Sequence, residues 1–122
     1  MDCPKCTGSL EEISVRDQIT LHRCDACFGL WCKPDELAQL KSAWMSEALV
    51  DVGSPLIGEK LDRVKDVSCP LGHGPMEKHS DPEQRHIWYE QCNTCEGIFL
   101  DAGEFTDLKF KTLLDWVRGL FR

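Results

Sequence analysis

A small, metal-stabilised α+β protein made of two tandem units is the fold class this sequence predicts, and three observations predict it. Paired soft ligands open and close each half, a run of residue types recurs 68 positions later, and each half continues into a stretch with apolar residues at helical spacing. The first pair is Cys3 and Cys6 in CPKC, followed after seventeen residues by Cys24 and Cys27 in CDAC. The second half opens with Cys69 and His73 in CPLGH and, after eighteen intervening residues, closes with Cys92 and Cys95 in CNTC.

Each half therefore carries four donors of the kind a zinc ion takes in a tetrahedron, with thiolate sulfurs at ~2.3 Å and an imidazole nitrogen at ~2.0–2.1 Å. A two-residue spacer lets one tight turn supply two donors, and two such turns at this separation have the layout of a zinc ribbon. Two structural zinc ions per chain are expected. Four protein donors leave no open position for the water that a catalytic zinc needs, so no catalytic residue is assigned. Units of this size bury too little to be secure on hydrophobic burial alone. Structural zinc, at ~10–16 kcal/mol of apparent binding free energy, exceeds the net stability of an ordinary small domain.

The repeat extends beyond the ligands. A shift of 68 maps Cys24, Cys27, Gly29, Trp31, Glu36, Leu37 and Leu40 onto Cys92, Cys95, Gly97, Phe99, Glu104, Phe105 and Leu108. A shift of 66 pairs Cys3, Pro4, Gly8, Leu10 and Glu11 with Cys69, Pro70, Gly74, Met76 and Glu77. This is one structural unit used twice. Its pattern, C-P-x-C followed by C-x-x-C-x-G-x-(W/F)-x-x-x-x-E-(L/F), resembles the zinc-ribbon family named after transcription factor IIB. The resemblance implies two tandem ribbons and favours zinc over the iron that rubredoxin-like knuckles also hold. It implies little about function, because one fold serves many roles. The first unit departs from the family at Cys32 and Lys33, where the second keeps Leu100 and Asp101.

Taken in order, the elements follow from local pattern. Ile13 and Val15, then Ile19 and Leu21, alternate with polar residues about Arg16-Asp17-Gln18, which reads as a hairpin; Glu77-Lys78-His79 and Ile87-Trp88-Tyr89 flank a turn at Asp81-Pro82 and read as another. Residues 34–50 place Leu37, Leu40, Trp44, Met45 and Ala48 on one side of a helix, with Pro34 and Glu36 as its start signal. Residues 102–121 place Phe110, Leu113, Leu114, Val117 and Phe121 likewise, and Asp101 with Glu104 reads as a capping box. The organisation expected is a first unit over 1–50, a connector over 51–67 with a short helix, and a second unit over 68–122.

Composition bounds the function. The formal charge is −7, and thiolate ligation of zinc makes the chain more negative. Phosphate backbones are repelled by that balance, which counts against a nucleic-acid-binding, transcription-linked regulator. Met1-Asp2-Cys3 begins a knuckle at once with no signal-like apolar run, so reduced cysteines and a cytoplasmic location are expected rather than a secreted disulfide scaffold. A thiol redox role is disfavoured because CPKC is followed by Thr7-Gly8-Ser9 rather than a helix. Cys32 is read as a small buried residue, and His22, His79 and His86 as surface or packing residues. The last helix combines an apolar face with Lys109, Lys111, Arg118 and Arg122, which suits a protein partner, self-association or peripheral membrane contact. The leading expectation is a non-enzymatic module that binds another protein, or itself, through its helices and Trp31, Trp44, Trp88 and Trp116.

Overall fold

The structure, a computed structural model, describes residues 1–64, 66–81 and 87–109. The first hairpin forms where the alternation places it. Strands β1 (Leu10–Val15) and β2 (Ile19–Cys24) pair antiparallel, with Ile13 opposite Leu21 and Val15 opposite Ile19. Arg16 and Asp17 turn the chain at φ 53° and 56°, and the Gln18 N–H returns to the Val15 carbonyl at 3.1 Å. Two successive positive-φ residues give a turn whose twist matches that of the strands it joins. After the second knuckle β3 (Leu30–Cys32) pairs with β2. The second unit repeats the plan with β4 (Glu77–Ser80), β5 (Trp88–Gln91) and β6 (Ile98–Leu100).

The two units then meet edge to edge. β3 pairs antiparallel with β6, setting Leu30 opposite Leu100, Trp31 opposite Phe99 and Cys32 opposite Ile98, so one sheet of six strands runs β1-β2-β3-β6-β5-β4. Trp31 and Phe99 hold the same repeat position and face each other, which makes the seam locally two-fold. Each ring also crosses the seam. A Cβ on Gly97 would lie 2.3 Å from the Trp31 ring, and one on Gly29 would lie 2.4 Å from the Phe99 ring. Only glycine leaves room there, so the G-x-(W/F) motif of each unit is half of a lock completed by the other.

One face of this sheet packs its apolar residues, among them Leu21, Leu30, Cys32 and Leu100, against Leu37, Leu40, Val50, Phe105 and Leu108 from the helical side. The opposite face gathers Leu10, Trp31 and Phe99 with the knuckle cysteines. Trp31 is 5% exposed, so it is a core residue and not one of the contact aromatics expected from sequence.

The helix expected over 34–50 is broken in two. Helix α1 (Pro34–Ser42) starts at Pro34, and Glu36 Oε1 accepts the Lys33 N–H at 2.8 Å, as the start signal implied. Ala43 is extended and Met45 is left-handed at φ 59°, and α2 (Ser46–Val50) follows. Side-chain donors stabilise the break: Ser46 Oγ, within the segment, donates to the Leu40 carbonyl at 2.5 Å, and from elsewhere in the fold Lys109 Nζ donates to the Ala43 carbonyl at 2.5 Å and the Arg16 guanidinium to the Trp44 carbonyl. Leu37 and Leu40 are buried as expected, whereas Trp44, Met45 and Ala48 face solvent and the core position passes to Val50. The connector contains α3 (Pro55–Leu61).

Residues 104–109 are helical, but the expected Asp101–Glu104 capping box is not seen: the Glu104 N–H reaches the Asp101 carbonyl at 3.0 Å, and Asp101 Oδ1 has no hydrogen-bond partner among the described residues. Asp101 is drawn instead to Lys5. The cap comes from the connector: Asp51 Oδ1 accepts the Gly103 N–H at 2.9 Å, and Asp51 Oδ2 accepts the Thr106 N–H at 2.9 Å and its hydroxyl at 2.7 Å. Lys109 does not belong to an exposed basic face, because its ammonium lies 2.5 Å from Glu47 Oε2 and 2.9 Å from Ser46 Oγ. That pairing holds the Glu47 carboxyl below its ordinary range. The apolar and basic positions assigned to residues 110–122, Trp116 included, together with His86 and Pro82 of the expected second hairpin turn, lie outside the described residues.

Candidate metal centres

The knuckles are turns whose backbone points at sulfur. The Gly8 N–H donates to Cys6 Sγ at 3.3 Å, and the Ala26 and Cys27 N–H groups donate to Cys24 Sγ at 3.3 and 3.4 Å. In the second unit the Thr94 N–H donates to Cys92 Sγ at 3.4 Å. Donors around a sulfur favour its thiolate form, the form that binds metal. The turns are built alike. Phe28 and Glu96, one repeat apart, are both left-handed at φ 60° and 64°, and the Cys24 and Cys92 N–H groups reach the Gly29 and Gly97 carbonyls at 2.9 Å. The first knuckles match as well, with Cys3 N–H to Gly8 and Cys69 N–H to Gly74 at 3.0 and 2.8 Å.

These turns bring each expected set together. Donor atoms of Cys3, Cys6, Cys24 and Cys27 lie within 4.8 Å of one another, and so do those of Cys69, His73, Cys92 and Cys95. A tetrahedron with Zn–S of ~2.3 Å has S···S edges of about 3.8 Å. Cys3 and Cys27 sulfurs are 3.8 Å apart, Cys6 and Cys24 3.4 Å, and Cys69 and Cys95 3.8 Å. His73 turns Nδ1 inward, 3.5 Å from Cys69 Sγ and 3.8 Å from Cys92 Sγ. Both sets fit zinc, and the two sites support two zinc ions per chain.

The electrostatics of each set suit metal capture. A hydrogen bond from Cys27 outweighs burial and brings Cys3 down to about 5, and the Cys95 N–H, against burial, brings Cys92 down to about 6. Each set thus has one sulfur biased toward its thiolate form. Cys27 is pushed up by sharing its proton with Cys3, and burial pushes up Cys6 and Cys69, so the remaining protons leave as metal enters. Cys32 stands apart. It is 2% exposed in β3 on the helical face of the sheet, and burial raises it to about 12, as suits a small core residue. Of the other histidines among the described residues, His22 lies in β2, while His79 in β4 stacks on Tyr89 at 6.2 Å between centroids.

One charged group was not legible in the sequence. Lys5, inside the first knuckle, has a side chain with 0% exposure; its ammonium lies 2.6 Å from Asp101 Oδ2, 2.7 Å from Glu90 Oε1 and 5.7 Å from the centre of the Phe99 ring. Burial opposes the Lys5 charge, but Asp101 and Glu90 outweigh it and hold the ammonium above its ordinary value. Burial raises Glu90 and Asp101, and it raises Glu104 beside Asp101 to about 10, so Glu104 carries a proton at neutral pH. Asp62, Glu90 and Asp101 could offer oxygens to a third cation, but the Lys5 ammonium already fills that role. CPKC advertises only its cysteines, and nothing nearby in sequence points Lys5 at residues 85 and 96 positions away.

Against known proteins, residues 2–43 match the family described as "Transcription factor zinc-finger", the zinc ribbon of transcription factor IIB type. The match covers the first unit; the second is likened to it by the repeat register and by the equivalent turns above. No curated protein and no solved structure matches the chain. Among the described residues no helix is long and apolar enough to cross a membrane.

Proposed function

We propose, from the zinc-ribbon family that residues 2–43 match, that this chain is a non-enzymatic zinc module that binds another protein. Cys3, Cys6, Cys24 and Cys27 are the ligands of the first ion, and Cys69, His73, Cys92 and Cys95 those of the second. Residues 1–50 and 68–122 are its two units, with 51–67 the connector. Four protein donors per site leave the metals structural, so the work falls to the surface.

The observation that carries the reading is the exposure of large apolar side chains around α2. Trp44 is 77% exposed and Leu49 51%. Met45, the left-handed residue just before α2, is exposed beside them. An exposed Trp with aliphatic neighbours is the composition of an interface anchor. A charge of −7 opposes the nucleic-acid alternative.

The test is affinity capture of the zinc-loaded protein from its native extract, beside a Trp44→Glu/Leu49→Glu variant that keeps both metals. A specific protein held by the first and lost by the second supports the reading. Salt-sensitive nucleic acid retained by both would sink it.

A further inference from the structure

Lys5 belongs to the first metal site by sequence and to the second unit by contact. It stands between the ligands Cys3 and Cys6, and its carboxylate partners are Glu90, two residues before Cys92, and Asp101, which follows β6. Among the described residues Glu90 has only one other cation within reach, Lys78 at 4.0 Å, and that side chain is 38% exposed; no other ion pair to Asp101 is present there. Glu90 sits opposite Phe99 in the sheet, so its strand leads from the cluster into the Cys92 knuckle. The knuckle turn carries the Lys5 backbone, and its two cysteines, Cys3 and Cys6, are among the assigned ligands of the first ion.

We propose that Lys5 couples the two metal sites: filling the first holds its ammonium between Glu90 and Asp101, and this raises the zinc affinity of the second. The inference rests on the ligand assignment above. Removing one partner of a buried charge pair leaves the other uncompensated, which is far more damaging than replacing both by neutral groups. If the first knuckle opens, two buried carboxylates lose their main counter-charge beside the second site, and folding around Cys92 becomes less favourable. Because folding and metal binding are one equilibrium in such units, that cost appears as weaker zinc binding.

The second unit has no matching device. Leu71 takes the place of Lys5 there and is 50% exposed, while His22 and Lys33 take the places of Glu90 and Asp101. One bridge therefore serves both sites, and by linkage the coupling factor is the same from either end.

The experiment is competitive zinc transfer to a chelator with the full-length protein, with second-site occupancy read from the His73 ring resonances. The wild-type metal count and that of Cys3→Ser test the ligand assignment separately, with two and one ions expected. Cys3→Ser is expected to weaken the second site by on the order of tenfold to a hundredfold. Lys5→Met, which keeps every ligand, is expected to weaken it comparably, and adding Cys3→Ser to Lys5→Met to cost little more. A Lys5→Met/Glu90→Gln/Asp101→Asn variant, which removes the charges together, is expected to restore second-site affinity and to make it indifferent to Cys3→Ser. That variant decides the matter even if Lys5→Met fails to fold. Full transmission of the Cys3→Ser loss through the neutralised cluster, or unchanged second-site affinity in Lys5→Met, overturns the proposal.

Discussion

Single residues carry the repeat's meaning. The pairing of Gly29 with Gly97 and of Trp31 with Phe99 was visible as a recurring pattern, but a pattern does not say what a glycine makes room for. The rings of the opposite unit stand where each Cβ would be. Gly97→Ala should therefore force the Trp31 ring out of place and destabilise the fold by about 1–3 kcal/mol, the usual cost of overpacking. Adding Trp31→Phe, which shortens the ring, should recover part of the loss. Denaturant unfolding of the two zinc-loaded variants checks this, and equal stability of Gly97→Ala and wild type would mean that the seam is looser than described. The cysteines behaved differently. Their spacing alone specified which would converge, because a two-residue spacer leaves little freedom to the turn between them.

At the scale of elements, the strand pairs and the start of α1 were legible, whereas the end of α1 and the cap on residues 104–109 were not. The strands follow from alternation, a local property, and the turn at Arg16-Asp17 closes them. Where α1 stops depends on donors from β1–β2 and from Lys109, which no window of the helix's own sequence contains. The start of the helical residues 104–109 makes the same point. Asp101 has the residue type of a cap, yet its carboxylate is taken by Lys5 and the capping passes to Asp51, 52 residues from Gly103. Asp51→Ala should cost about 1–2 kcal/mol, as loss of a cap does. It should also speed amide exchange at Gly103 and Thr106 while leaving the Lys33 amide, held by Glu36, unchanged. Unaltered exchange at both positions would remove Asp51 from that role.

At the largest scale, the described residues of the two units share one sheet, and its seam is the β3–β6 pair. An isolated first unit would present β3 as an open edge with Trp31 uncovered, a strand poised to pair with another. Because the seam is locally two-fold, a second copy of the same unit supplies an equivalent strand and a glycine in the equivalent place. A zinc-loaded fragment of residues 1–50 is therefore expected to sediment as a dimer, with β3 amides protected from exchange. A monomeric fragment with those amides protected would show that the first unit closes its own edge.

From the linear chain came the two donor sets, the hairpins, the start of α1 and the expectation of two zinc ions, all set by residues within a few positions of one another or by a spacing that recurs. Folding decided what joins residues far apart: the strand seam, the exchanged aromatics, the Asp51 cap, and the Lys5 ion pair that spans 96 positions to Asp101. The physical reason is range. Turn geometry and side-chain periodicity act along the backbone and leave a local signature, whereas burial and charge pairing act through space and leave none until the chain has closed upon itself.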